Sequence, residues 1–246
     1  GAFEWVDNTE PMKALITKEH KRLENGKDLG QSAAQSQRLR WLQKLPGNKN
    51  VSRPAQQHQA LLSLDDGEVT KAFEEHTAAF PPFLLRSALE NLCLTSSAFL
   101  TIKNQFIKSM AVFSIASYLL GIGDRHLENF LVDTSDGEVL GIDFGIAFGS
   151  GVNLSVPELM PFRLTQQIEG VIAPHPLEGI YKHTMVHALS ALRKKKSLIL
   201  DACEIFVREP LLDWLKDAKQ ANRSSSLIQD SSRTASALGT AHDGDT

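Results

Sequence analysis

The chain has 246 residues, 42% of them hydrophobic and 22% charged, with a formal net charge of −3. That is the make-up of a globular protein with room for one large domain or two small ones; the charge excludes a chain built throughout to grip nucleic acid. Its two cysteines, Cys93 and Cys203, stand far apart in apolar surroundings, which excludes a disulfide framework and a cysteine metal motif and fits a reducing compartment.

The most apolar stretch, "MAVFSIASYLLGIG" (110–123), is broken by serines and a tyrosine and is too short to span a bilayer. No signal peptide is visible, and the first residue is Gly rather than Met. Cytosol or nucleus is the expected compartment, with no membrane partner.

In chain order, "AFEWV" (2–6) has strand-like residues and "PMKALITKEHKRL" (11–23) reads as a helix with Pro11 near its start. Residues 24–35 read as loop, 35–45 as a short helix around Leu39, Trp41 and Leu42, and 46–59 as loop again, with Pro-Gly and Arg-Pro as breakers. Helical pattern returns over about 67–92, interrupted by Pro81 and Pro82. Thr95 or Ser96 is suited to cap a helix carrying Phe99, Ile102, Phe106 and Phe113 on one stripe, running to Leu120 and stopping at Gly121. "FLVD" (130–133) and "EVLGID" (138–143) read as strands, with a Thr-Ser-Asp-Gly turn between them. Residues 144–164 are irregular. Helices are expected at 165–172, 179–195 and 198–208, with Arg193 to Lys196 offsetting a helix dipole at a solvated end. Residues 216–246 form a polar tail, and the Ser-, Thr- and Gly-rich composition beyond Asn222 reads as disordered.

The chemistry gathers in "GIGDRHLENFLVDTSDGEVLGIDFG" (121–145). Folding the hairpin about Asp136 and Gly137 gives partners whose numbers sum to about 272 or 273, so Asn129 is expected opposite Asp143 or its neighbour. Two short oxygen-bearing side chains then meet at the hairpin's open end, a donor set that suits Mg2+. Asp124 lies five residues before Asn129, the spacing of Asp to Asn in a protein-kinase catalytic loop, and Asp143 begins an Asp-Phe-Gly triplet. An Asp at position 124 can orient an incoming hydroxyl and accept its proton; His126 can donate to the transferring phosphoryl group. Each feature alone has a bland reading, as a chance tripeptide, a salt bridge or a structural histidine. Together they specify phosphoryl transfer, with catalytic Asp124 and His126 and metal-binding Asn129 and Asp143.

At these residues the sequence resembles the phosphatidylinositol-3-kinase-related protein kinases. Gly123 to Asn129 matches their Gly-Asp-Arg-His-x-x-Asn loop, Ile142 to Gly145 their Ile-Asp-Phe-Gly, and "VPELMPFRLT" (156–165) is similar to their Pro-Phe-Arg-Leu-Thr signature. The similarity covers about 1–215, is strongest over 121–165 and weak over 20–80. It implies the C-lobe of a protein-kinase-like fold, mainly α with a small β hairpin, with a catalytic loop at 121–130, a metal motif at 142–145 and an activation loop at 143–165. It implies a serine/threonine kinase using ATP and Mg2+, with Leu131 and Ile142 as the apolar floor under the adenine and proteins with Ser/Thr-Gln sites as substrates. It further implies a nuclear role in DNA double-strand break repair by non-homologous end joining, with Ku and DNA ends as partners engaged by parts of a parent protein outside this chain.

The sequence also departs from the pattern. No Gly-rich phosphate loop, strand lysine or adenine hinge precedes the catalytic loop, so the N-lobe is expected to be absent and the chain alone inactive. Ile146 replaces a polar residue and Gln166 an arginine. Two rival readings follow: a non-catalytic C-lobe acting as an interaction module, and a phosphoinositide lipid kinase. Residues 144–162 contain no Lys or Arg and carry Glu158, which favours a protein over an anionic headgroup as acceptor. Ser36-Gln37 and Thr165-Gln166 match the substrate preference; Ser36, in an expected loop, is a candidate autophosphorylation site.

Overall fold

The computed structural model describes residues 6–23, 65–78, 80–154, 158 and 160–208. The expected strand at 2–6, the helix at 35–45 with its flanking loops, Ser36 and the polar tail lie almost wholly outside these residues. Among the described residues the order is β1 (Thr9–Pro11), α1 (Met12–Leu23), α2 (Asp66–Thr77), α3 (Leu84–Asn91), α4 (Ser96–Leu120), β2 (Phe130–Asp133), β3 (Val139–Gly141), a 3-10 turn (Ser150–Asn153), α5 (Gln166–Ile172), α6 (Ile180–Lys194) and α7 (Lys196–Arg208). The fold is mainly helical with a small antiparallel sheet.

Helix α4 is the spine. Thr95 caps it, its Oγ1 accepting the Ala98 N–H at 3.2 Å, and Gly121 ends it in the left-handed region. Along it Ile102, Phe106, Ile107, Met110 and Ala111 are buried against α3, α5 and the sheet, each large side chain contributing about 1.5–3 kcal/mol of burial. Phe99 and Phe113, expected on the same stripe, are half-buried at its margins. Tyr181 of α6 is buried on α4, its hydroxyl 2.8 Å from Ser114 Oγ. No helix among the described residues is long and apolar enough to cross a membrane.

Among the described residues the sheet has three strands, not the two of a bare hairpin. Thr9 to Pro11 pairs with β2, in the order β1-β2-β3. Three residues ending in proline carry too little periodicity to be read as a strand; β2's free edge supplies the reason to extend. The β2–β3 register pairs Phe130 with Gly141, Leu131 with Leu140 and Val132 with Val139. The sums are therefore 271, not 272 or 273. The turn is wider than a two-residue loop: Asp133 takes the Ser135 N–H at 2.7 Å and Asp136 the Glu138 N–H at 2.8 Å, so four residues and Glu138 are spent on it. The hairpin lies flush on α4. Ser109 Oγ accepts the Val139 N–H at 2.9 Å, and a Cβ at Gly141 would stand 2.1 Å from the Phe113 ring.

On the far side, α1 is tied to α3 through one buried carboxylate. Glu19 is 4% exposed and takes two bonds from Arg22 (2.7 and 2.9 Å), one from Ser87 Oγ (2.6 Å) and one from Asn91 Nδ2 (2.9 Å). Arg22 first, then Ser87 and Asn91, hold its pKa below the ordinary carboxylate value against the opposing pull of burial. A depressed carboxyl adds stability that is complete above its unfolded value, about 4.3, and is lost as pH falls through the lower folded value. Glu19→Gln should therefore lower the thermal midpoint at pH 7, and melts taken from pH 7 to 3 should show that difference shrinking below about pH 4.

Candidate active site

The site is built where α4 ends. At Gly121 φ is +56°, and a Cβ there would lie 2.4 Å from the Gly149 nitrogen, so only glycine makes this turn. The reversal lets 120–123 run beside 146–149: Phe148 N–H donates to Leu120 O (2.7 Å), Gly149 N–H to Gly121 O (3.0 Å) and Gly123 N–H to Ile146 O (2.9 Å). The residues leading to Asp124 and those after Asp-Phe-Gly are thus laced through their backbones.

Arg125 completes the joint. Its side chain is buried, 3% exposed. Nε donates to Gly123 O at 2.8 Å, Nη1 to Ile142 O at 2.8 Å, and Nη2 to Asp143 O. The guanidinium carbon lies 5.4 Å from the centroid of the Phe144 ring, and that ring meets Phe113 of α4 at 6.4 Å. Burial, the largest influence, pulls the Arg125 pKa down, while the carboxylates of Asp124, Asp143 and Glu158 push it up. Guanidinium starts so high that it remains charged.

Around this clamp stand the residues expected from sequence. Asp124 and Asp143 both take left-handed backbone conformations, φ +54° and +56°, at a cost of roughly 1–2 kcal/mol each for non-glycine residues. Asn129 is buried; its Nδ2 donates to Asp124 O at 2.8 Å, and its own carbonyl accepts the Ile142 N–H at 3.1 Å. Asn129 therefore stands across from Ile142, the neighbour of Asp143. With its amide nitrogen committed to Asp124, Oδ1 is the atom left for a ligand. Asp143 Oδ1 accepts the Gly145 N–H at 3.3 Å and keeps further lone pairs.

His126 is half exposed. Its Nδ1 accepts the Glu128 N–H at 3.3 Å, with the Glu128 carboxylate 4.0 Å away; with Nδ1 accepting, Nε2 carries the ring hydrogen and is the donor. The strand register puts Leu131 and Ile142 on the same face as Asn129, opposite the face that sends Phe130, Val132 and Val139 into the core. Leu131 is buried at 5% exposure and Ile142 is 39% exposed.

The donor set of one carboxylate and one amide oxygen fits a hard cation such as Mg2+. Among the described residues no three His, Cys, Asp or Glu side chains gather to hold a metal, so a cation here would complete its shell from phosphate and water. Sequence reasoning passed over two residues. Arg125 reads as an ordinary salt-bridging arginine, and nothing in its spacing shows that it points inward. Glu158 reads as an exposed acid of the activation loop; instead its Oε2 accepts the Asp124 N–H at 2.7 Å and its Oε1 the Arg125 N–H at 3.3 Å. The one signal available was a lone charge in an otherwise uncharged stretch, 144–162.

Residues 1–216 match the family described as phosphatidylinositol 3- and 4-kinase. This chain is a member of that family. Its curated relatives place it in the branch of the phosphatidylinositol-3-kinase-related protein kinases. It is 38% identical over 216 residues to the DNA-dependent protein kinase catalytic subunit of Mus musculus, with 87% of this chain and 5% of the relative aligned. It is 36% identical over 225 residues to the protein of that name from Dictyostelium discoideum, 88% of this chain and 5% of the relative. The serine/threonine-protein kinase SMG1 of Danio rerio is 31% identical, over 87% of this chain and 6% of its own length. The chain thus spans about one-twentieth of the curated relatives it matches. Among solved structures, the FAT and kinase domain of CtTel1 superposes with a TM-score of 0.70 at 24% identity, covering 93% of this chain and 15% of that one, a likeness of fold.

Arg125→Lys tests the clamp. An ammonium cannot present three donors in one plane to carbonyls of Gly123, Ile142 and Asp143. The variant should lose about 2–4 kcal/mol in denaturant unfolding, and the Gly123 amide should lose much of its hydrogen-exchange protection.

Proposed function

We propose that this chain is the C-lobe of a serine/threonine protein kinase that transfers the γ-phosphoryl group of ATP to protein hydroxyls. The observation that carries the reading is the Arg125 clamp, which ties the Asp124 loop to the Asp143 loop and so brings Asp124, Asn129 and Asp143 to one end of the hairpin. In this reading Asp124 orients the acceptor hydroxyl and takes its proton, and the His126 Nε2–H donates to the transferring phosphoryl oxygens. Asn129 Oδ1 and Asp143 would hold Mg2+, which when bound offsets phosphate charge. Leu131 and Ile142 offer the adenine an apolar face continuous with those two ligands.

Likeness to the DNA-dependent protein kinase catalytic subunit supports Ser/Thr-Gln acceptor sites. It also supports a nuclear role in double-strand break repair by end joining, with Ku and DNA ends engaged through other parts of the parent protein. The loop at 144–162, with no Lys or Arg and Glu158 as its one charge, favours a protein acceptor over a phosphoinositide.

The test is phosphate transfer from ATP to a Ser-Gln peptide by the parent protein carrying this chain. Asp143→Ala and Asp124→Ala should each lower kcat by about 10³-fold or more, and chelation of Mg2+ should abolish transfer. Undiminished turnover in Asp143→Ala, or transfer to phosphoinositide vesicles in preference to the peptide, would overturn the reading.

A further inference from the structure

We infer that Glu158 is a positioning residue whose carboxylate latches the backbone of Asp124 in the conformation used for transfer. The inference rests on the phosphoryl-transfer reading above and adds a residue to it.

Asp124 sits in a left-handed conformation that a non-glycine backbone disfavours. Side chains hold both of its peptide groups. Its C=O accepts from Asn129 Nδ2 at 2.8 Å, and its N–H donates to Glu158 Oε2 at 2.7 Å. The second carboxylate oxygen takes the next N–H, that of Arg125, at 3.3 Å. Two consecutive N–H groups on one carboxylate make a bidentate, charge-assisted contact. It fixes the direction of the chain through Asp124, and with it the origin of the Asp124 side chain. Glu158 is itself tied to its segment, its N–H donating to Gly151 O at 3.1 Å.

The surroundings are shaped to this carboxylate. A Cβ at Gly123 would stand 2.7 Å from Glu158 Oε2, and one at Gly151 would stand 2.9 Å from the same oxygen. Two glycines thus make room for it, one on the catalytic loop and one on the 3-10 turn. Near Arg125 the Glu158 charge also helps to keep the guanidinium ionised, so the latch and the clamp support each other. Glu158 touches neither of the expected metal ligands, Asn129 and Asp143, in any bond described above. Its effect should therefore fall on the orientation of Asp124 and not on nucleotide binding.

Glutamine is the informative substitution. It keeps the size but offers one acceptor oxygen and sets an NH2 donor against a backbone N–H. Gly151→Ala is the independent test: it leaves the carboxylate in place and pushes its oxygen from the Asp124 N–H. In the parent protein, with ATP and a Ser-Gln peptide, both variants should lose about 10²-fold in kcat, while the KM for ATP stays within about threefold and the thermal midpoint shows a folded protein. Glu158→Asp, which keeps two acceptors on a shorter stem, should recover part of the Gln loss.

Unchanged kcat in Glu158→Gln, with wild-type activity that Asp143→Ala abolishes, would overturn the latch while leaving the kinase reading intact. A parallel rise in KM for ATP, or loss of the folded state in both variants, would reduce Glu158 to a structural cap and also overturn it. Absence of transfer by the wild-type protein would instead reject the kinase reading on which the latch depends.

Discussion

A buried guanidinium bonded to three backbone carbonyls organises everything around it. Arg125 takes Gly123 O from its own loop and the carbonyls of Ile142 and Asp143 from the residues just after β3. Carbonyl oxygens at a strand end and beside left-handed residues have no ladder partner of their own, and burying them unmet would cost about 1–3 kcal/mol each. The arginine satisfies all three with one planar fork, and the carbonyls in turn make its burial tolerable. The two loops that carry Asp124 and Asp143 can then hold conformations that neither would keep alone.

This joint depends on helix α4. The helix sends its apolar side into the core through Phe106, Ile107 and Met110, supports the hairpin through Ser109 and Phe113, and ends at Gly121 where the backbone must reverse. The hairpin lies against it closely enough that Gly141 has no room for a side chain. Phe113 spans both roles: it packs edge-on to Phe130 at 5.3 Å and meets Phe144, the ring under the Arg125 cation. Core packing and the position of the Asp-Phe-Gly triplet are therefore one structure, which is why the polar site stands on a packed base.

The polar groups divide by task. Arg125, Glu158 and the Asn129 amide nitrogen are committed to backbone groups. Asn129 Oδ1, the Asp143 carboxylate and His126 Nε2 keep capacity for a ligand. Membership of the phosphatidylinositol 3- and 4-kinase family accords with that division, because phosphoryl transfer asks the protein mainly for positioning and charge.

Local signals in the sequence were enough for the helix caps at Thr95 and Gly121, for the break at Pro81 and Pro82 and for the hairpin, because caps and turns act over a few residues. The third strand, the register and the two positioning residues were not legible. Thr9 to Pro11 becomes a strand only because β2 lies beside it, and the register moved to 271 because Asp133 and Asp136 widened the turn. Arg125 and Glu158 look like any surface charges until tertiary packing excludes water from one and aims the other, 33 residues away, at two backbone N–H groups. The sequence by itself determined which polar residues gather in 121–145; only the tertiary structure decided which charges would hold them, since burial and partner are properties of the fold and not of the residue.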